Sequence, residues 1–504
     1  MTNHLFDAIK ASARNDAPFI LLNGGRSWTY GEVFDLSGQI ANTIDRLGIS
    51  PGDRVAVQIE KSAEALILYL ACVRSGAVYL PLNTAYTLTE LDYFIGDAQP
   101  RLVVVSSSSR DSVETIAKPH GAKVETLDAN GTGSLMDLAK EQPIDFVDAA
   151  RGPDDLAAIL YTSGTTGRSK GAMLTHDNLL SNALTLRDVW QVSAQDRLIH
   201  ALPIFHTHGL FVATNVTLLS GASMILLPKF EPEEVLSLMP QATLLMGVPT
   251  FYVRLLQSPR LDQNAVASMR LFISGSAPLL SETHVDFKAR TGHAILERYG
   301  MTETNMNTSN PYEGERIAGT VGRPLPGVTV RITDPVSGEM LPENETGMIE
   351  IKGPNVFKGY WRMPEKTAAE FTADGFFISG DLGKIDSDGY VHIVGRGKDL
   401  VISGGYNIYP KEVESEIDQI EGVVESAVIG VPHPDFGEGV TAIVVKKPGA
   451  ALDETQIIGA LADRLARYKQ PKRIIFADDL PRNTMGKVQK NVLRQQFAQL
   501  YAAT

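Results

Sequence analysis

The chain has 504 residues, 43% apolar and 21% charged, with a formal net charge of −13 at pH 7. That length exceeds a single hydrophobic core and implies two or more domains. The composition is that of an ordinary soluble globular protein, and the acidic balance argues against nucleic acid or an anionic membrane as the main partner.

At the N-terminus, Asp7 and Asp16 stand where a signal or transit peptide carries no acids, and the longest apolar stretch, 65–73, is far too short to span a bilayer. A cytoplasmic protein with no membrane partner is expected. The single cysteine, Cys72, cannot form an internal disulfide, and its apolar neighbours make it a buried packing thiol.

Through the first four-fifths of the chain, short apolar runs alternate with longer helix-like stretches. Runs at 54–59, 102–105, 198–202, 223–227, 243–247 and 271–274 are each followed by such a stretch. This alternation predicts parallel sheets covered by helices, in more than one sheet layer. After 328 the pattern turns β-rich, with strands expected at 329–332 and 348–352 and a hairpin of 382–385 and 390–394 around Ser387-Asp388-Gly389. A small α+β unit follows, with helices near 410–420, 454–468 and 488–501. The expected fold class is α/β: a large N-terminal domain of helix-covered sheets with a β-rich subdomain, then a small α+β C-terminal domain.

The most informative segment is YTSGTTGRSKG at 161–171, directly after the apolar run 156–160 and before a helix start at 175–178. Its glycines let backbone N–H groups wrap an anion. The hydroxyls of Thr162, Ser163, Thr165, Thr166 and Ser169 add donors, and Lys170 supplies a mobile charge, which together make a cradle for a polyphosphate. A flexible linker is the bland alternative. A kinase-type phosphate loop would end in Gly-Lys-Ser/Thr, whereas this chain has Ser169-Lys170-Gly171.

Further segments occur in a fixed order: SGSAP at 274–278, YGMTE at 299–303, SGD at 379–381, YVHIVGRGKD at 390–399, GGYNIYP at 404–410 and PRNTMGK at 481–487. With the phosphate loop, and over essentially the whole length, these resemble the adenylate-forming superfamily of acyl-CoA synthetases, peptide-synthetase adenylation domains and luciferases. The resemblance implies ATP and magnesium as cofactors and coenzyme A as a substrate. It also implies a hinge at Lys398 between a large domain, 1–397 with its β-rich part at about 329–397, and a small mobile domain, 398–504.

The resemblance assigns roles residue by residue. Thr162, Ser163, Gly164, Thr165, Thr166, Gly167 and Lys170 would hold the triphosphate. Ser276, Ala277, Pro278, Tyr299 and Gly300 would form the adenine pocket, and Asp381 and Arg396 would contact the ribose. Glu303, with Thr162, would hold magnesium, and Thr302 with Glu303 would belong to the catalytic set. Gly404 and Gly405 would leave a passage for pantetheine, with Tyr406 and Arg473 as further coenzyme A contacts. Read alone, Asp381 would cap a turn, Arg396 would pair with a surface acid and the two glycines would serve a tight turn.

Joining a carboxylate to the α-phosphate of ATP brings two anions together. At about 3.5 Å and an effective dielectric near 20 their repulsion is roughly 5 kcal/mol. Lys487 is the lysine that the superfamily places there, on the turn-rich loop 481–486. The attacking carboxylate is already ionised at neutral pH, so no general base is needed. The segment 464–494 holds nine Lys/Arg against two acids, either a solvated helix face or a landing surface for the phosphates of ATP or coenzyme A. The resemblance also makes Lys487 a target for a lysine acetyltransferase and deacetylase, since acetylation removes its charge.

The acid itself is suggested by Arg298, just before YGMTE. An unpaired buried arginine would be costly beside a fatty acid, but a dicarboxylate would satisfy it bidentately. PIFHTHG at 203–209, GVPTFYVR at 247–254 and ERYGMTETNMN at 297–307 resemble malonyl-CoA synthetases. Malonate is the expected substrate, with methylmalonate, acetate or 3-hydroxypropionate as alternatives. Arg254 is a second candidate carboxylate ligand, or else a helix arginine facing solvent. His206 and His208 read as pocket-lining or gating residues rather than metal ligands, because no acid or cysteine lies near them in sequence. A carrier-loading adenylation protein is the alternative class, and no carrier domain follows in this sequence.

Overall fold

The apolar runs become the central strands of two sheets in the first of two compact units of the computed structural model. That unit comprises Met1–Thr329 with Ile351–Phe377, and the second comprises Val330–Glu350 with Ile378–Thr504. The structure describes residues 2–162, 169–403, 406–462, 464–483 and 486–502, with Tyr406 and Asn407 as backbone only.

In the first unit, one sheet runs in the order Lys123–Thr126, Leu102–Val105, Arg54–Gln58, Val78–Pro81, Leu156–Thr162, Lys170–Thr175. Its first five strands are parallel and the last is antiparallel. The other sheet has nine strands. Its parallel centre contains Leu296–Met301, Leu271–Ser274, Leu244–Gly247, Arg197–His200 and Ser223–Leu226, in that order. Central strands such as LVVV, SMIL and LFIS are buried at every position, as continuous apolar runs should be when helices cover both faces. Cys72 is fully buried in the helix Ala63–Ser75, where burial pushes its thiol up. Among the described residues no helix is long and apolar enough to cross a membrane.

The helix start at 175–178 follows its own local chemistry. The Thr175 hydroxyl accepts from the Asn178 backbone N–H at 3.1 Å, and the Asn178 side chain accepts from the Thr175 N–H at 2.9 Å, a capping box on His176–Val189. The glycine-rich segment is not followed directly by this helix. A strand, Lys170–Thr175, intervenes and pairs antiparallel with Leu156–Thr162, with Thr162 opposite Lys170. Ala172 and Leu174 are buried there, and that alternation marks a strand.

Two further sheets lie largely in the second unit. Thr329–Thr333, Gly347–Lys352, Phe377–Ile385 and Val391–Arg396 form one, and its last two strands are the expected hairpin, pairing Lys384 with His392. The other contains Tyr406–Ile408, Val401–Ser403, Gly437–Lys446 and Val423–His433, with Arg473–Ala477 parallel to Gly437–Lys446. Its helices are Pro410–Asp418, Glu454–Leu461 and Lys490–Gln496. The last two are shorter than the apolar periodicity suggests. Leu465, Leu500 and Tyr501 pack on the core from turns, so the pattern there reports burial rather than helix.

Candidate active site

Ligand sites in open α/β sheets form beyond the carboxyl ends of parallel strands, and the strand Leu296–Met301 carries two clusters at that end. Arg298 belongs to the first. It is only 3% exposed, and its Nε and Nη2 are buried without a hydrogen-bond partner. Strand alternation turns its neighbour Glu297 the other way, where Oε1 accepts from the Leu279 N–H at 3.3 Å. The guanidinium lies over Gly275, where a β carbon would stand 2.4 Å from Cζ. SGSAP therefore has a glycine at 275 because the arginine occupies the space of a side chain. Burial pushes the Arg298 guanidinium down to about 9, which leaves it charged at neutral pH.

His208 and Ser276 complete this pocket. Ser276 adopts a left-handed φ of 72°, and its hydroxyl meets His208 Nδ1 at 3.2 Å. His208 is 2% exposed, and its Nε2 is buried without a partner. Burial first, and the charge of Arg298 second, hold this imidazole well below its usual range, so it is neutral. Buried polar atoms without partners are few in folded proteins. Here Arg298 Nε and Nη2 lack one, as does Nε2 of His208 beside the arginine's charge. The arrangement can receive an anion with several acceptor oxygens.

Five residues along is the second cluster. Glu303 is buried, and burial pushes its carboxyl up. The Tyr360 hydroxyl stands between two carboxylates, 3.1 Å from Glu303 Oε1 and 2.6 Å from Glu370 Oε2. Lys170 meets Glu370 at 3.2 Å and lies 4.3 Å over the Tyr360 ring. The lysine closing the glycine-rich segment and the acid of YGMTE are thus joined through two residues that sequence reasoning passed over. An acid and a tyrosine ten positions apart, in a segment with no glycine-rich signature, offered no signal. The backbone at Glu303 is fixed by the Phe357 N–H donating to its carbonyl at 2.8 Å, and Asn355 Nδ2 donates to the Thr304 carbonyl at 2.6 Å. Asn178 and Asn182 of the capped helix hold the same region, donating to Pro354, Val356 and Met306 carbonyls.

Other expected residues are placed as follows. Thr162, Ala277, Tyr299, Gly300 and Thr302 are partly exposed, and Pro278 is exposed. Ser163, Gly164, Thr165, Thr166, Gly167, Gly404 and Gly405 lie outside the described residues, as does the Tyr406 side chain. His206 is partly exposed, its ring 5.2 Å from that of Phe205. Arg254 is not brought to the Arg298 pocket. It lies on the outer side of the helix Pro249–Gln257, half exposed, 3.7 Å from Glu231 and stacked over Phe230. Tyr252, two residues earlier and so nearly opposite on the helix, points inward and donates to the Ile273 carbonyl at 2.6 Å.

In the second unit Asp381 and Arg396 face each other across the hairpin, 3.2 Å apart. Lys398 is exposed in the turn Gly397–Asp399. Lys487 is exposed on a loop closed by its backbone, the Asn483 side chain accepting from its N–H and its carbonyl accepting from the Asn483 N–H, both at 2.9 Å. Arg473 is half exposed and pairs with Glu454 at 3.1 Å. Most of the basic segment is likewise neutralised by acids from elsewhere in the unit. Arg464, Lys469, Arg482, Lys490 and Arg494 meet Glu416, Glu412, Glu425, Glu414 and Asp399. The local excess of positive charge therefore serves folding first, because its partners are distant in sequence.

A strand pair flanking the glycine-rich segment, a buried acid just beyond a parallel strand and a second small α+β region are the features of a nucleotide-activating enzyme of the adenylate-forming kind. The chain belongs to the AMP-binding enzyme family: the family pattern matches residues 8–361, and that of the AMP-binding enzyme C-terminal domain matches 412–487. The structure superposes on ATP-bound MatB from Rhodopseudomonas palustris with a TM-score of 0.98 and 63% identity, covering 99% of this chain and 100% of the other. In sequence it is 34% identical to a malonate–CoA ligase of Arabidopsis thaliana, over 98% of this chain and 88% of that one. It is 38% identical to a feruloyl-CoA synthase of Amycolatopsis, over 94% and 95%.

Proposed function

We propose that this chain is a malonate–CoA ligase acting through a malonyl-adenylate. A carboxylate oxygen of malonate attacks the α-phosphorus of ATP and diphosphate leaves. The thiol of coenzyme A then attacks the acyl carbon, losing its proton, and AMP leaves with the bonding pair. The observation that carries the choice of acid is Arg298, a buried guanidinium with partnerless nitrogens beside a neutral His208 and a carved-out Gly275. A monocarboxylate would leave that charge stranded, whereas the distal carboxylate of malonate pairs with it bidentately. The likeness to the malonate–CoA ligase and to MatB supports the same reading.

In this reading the carboxylate to be activated turns toward the Glu303 cluster and the distal one toward Arg298. Thr162 to Gly167 and Lys170 hold the triphosphate, Tyr299 and Gly300 face the base, and Asp381 and Arg396 take the ribose hydroxyls. Among the described residues no three His, Cys, Asp or Glu gather into a metal cage. That suits magnesium, which takes one or two protein oxygens and is otherwise held by phosphates and water. Glu303 and Thr162 would offer such oxygens, and magnesium held there would neutralise triphosphate charge. Lys487 supplies the cation that lets two anions meet, and Lys398 is the hinge between half-reactions. Gly404, Gly405, Tyr406 and Arg473 serve coenzyme A. The exposure of Lys487 also leaves it accessible to an acetyltransferase and deacetylase, in a cytoplasmic setting.

The test is diphosphate release across malonate, methylmalonate, acetate, propionate and 3-hydroxypropionate. Malonate should give the highest kcat/KM by at least about 10²-fold over the monocarboxylates. Preference for a monocarboxylate would refute the assignment. Transfer to a phosphopantetheinyl carrier but not to free coenzyme A would identify a carrier-loading enzyme instead.

A further inference from the structure

Behind the Arg298 pocket stands a lysine that the reaction leaves unassigned. Lys61 lies between the strand Arg54–Gln58 of one sheet and the helix Ala63–Ser75, and among the described residues no carboxylate is hydrogen-bonded to it. Its Nζ reaches the other sheet and meets three acceptors: His200 Nδ1 at 2.9 Å, the His200 carbonyl at 2.7 Å and the Leu202 carbonyl at 2.8 Å. An ammonium has three N–H groups, one for each. Burial pushes this ammonium down.

His200 is thereby fixed in one tautomer. Burial first, and the Lys61 charge second, hold its ring well below the usual imidazole range, so it carries a single N–H. With Nδ1 accepting from Lys61, the proton sits on Nε2, which donates to the Gly209 carbonyl at 2.9 Å. The same carbonyl accepts from the Thr214 hydroxyl, five residues on, at 3.0 Å, at the wide turn of the π-helix His208–Thr214. Gly209 itself has no room for a side chain, since a β carbon there would lie 2.0 Å from the Pro203 carbonyl oxygen. The segment 200–209 is therefore tied at its start by Lys61 and closed on its end by His200. That end presents His208 to Ser276 and Arg298.

We propose that Lys61, acting through the His200 tautomer, is a positioning residue for acid selection: it sets the loop that holds His208 against Arg298. Lys61 touches no reacting atom. It also lies outside the phosphate-loop and Glu303 clusters, so its effect falls on the distal carboxylate and not on ATP. The inference rests on the reading that Arg298 receives that carboxylate.

Lys61→Met, Lys61→Arg, His200→Leu and His200→Gln, each checked by thermal melting, test it. Gln offers an acceptor and a donor, as the neutral ring does. Lys61→Met and His200→Leu should raise the KM for malonate by about 10-fold or more, with kcat within about 3-fold and ATP affinity unchanged. Propionate should be affected far less. Lys61→Arg and His200→Gln should each restore part of the malonate affinity. ¹⁵N-histidine NMR of the wild-type protein, without substrate, should show His200 protonated on Nε2, so the link is tested even if a variant fails to fold. Unchanged malonate KM in folded Lys61→Met, equal losses for malonate, propionate and ATP, or a wild-type His200 protonated on Nδ1 would overturn the proposal. If Arg298→Ala affects malonate and propionate alike while the NMR result stands, the pocket reading has failed rather than the Lys61–His200 link.

Discussion

The guanidinium carbon of Arg298 lies 2.4 Å from the point where a β carbon on residue 275 would stand, so Gly275 and Arg298 occupy one shared space. A methyl group at 275 must displace the arginine, because it meets Nε and Nη1 at 2.6 Å as well. Gly275→Ala should therefore reproduce the selectivity of Arg298→Ala without removing any charge. For Arg298→Ala, kcat/KM for malonate should fall on the order of 10³-fold, as expected for breaking a buried charged pair. Propionate should lose far less. Steady-state kinetics on both acids, with melting curves, check both variants. Equal losses for the two acids would make Arg298 structural.

Tyr360 donates one proton but stands between two carboxylates, Glu303 and Glu370. Tyr360→Phe removes the group that separates them and leaves their repulsion to the surrounding cations. The KM for magnesium–ATP should rise by about 10-fold, while the KM for malonate stays within about 2-fold. Titrating magnesium at fixed ATP distinguishes the two effects.

Lys487→Ala should abolish adenylation by several orders of magnitude, since roughly 5 kcal/mol of anion repulsion then goes unopposed. Supplied with synthetic malonyl-adenylate, the variant should still form malonyl-CoA. Comparing diphosphate release with thioester formation measures the two steps separately. Loss of both to the same degree would end the division of labour.

At the proposed hinge, Lys398→Pro fixes φ near −65°. One half-reaction should slow far more than the other in the same pair of assays. Equal, small losses would place the hinge elsewhere.

His176 opens the helix whose asparagines hold the Glu303 region, and its ring is buried. Burial, and then the charge of Arg151, push it down to about 4 from 6.5. Between those values the unfolded chain binds a proton that the folded one refuses, so stability must fall as pH drops from about 6.5 toward 4. His176→Gln cannot titrate and should flatten this limb by up to about 3 kcal/mol. Denaturant unfolding at pH 7.5 and pH 5 would show whether the difference between variant and wild type depends on pH.

The sequence alone determined central strands of the two large sheets, because a strand buried on both faces needs a continuous apolar run, and runs such as LFIS at 271–274 have few other uses. It also singled out Glu303, Lys170 and Arg298 as candidates, where glycine-rich or motif-bounded segments restrict which residues can serve. It left Arg254 open between a carboxylate ligand and a helix arginine facing solvent, since helix periodicity tells which residues share a face but not which face meets a pocket. The partnership of Tyr360, Glu370 and Lys170 was decided by tertiary structure, bringing together positions some 200 apart. So was the role of Gly275, which can be seen only once Arg298 fills the space above it. Lys61 and His200 were equally hidden: one follows a strand of one sheet and the other ends a strand of the second, and a lysine becomes informative only when packing replaces its water with three fixed acceptors.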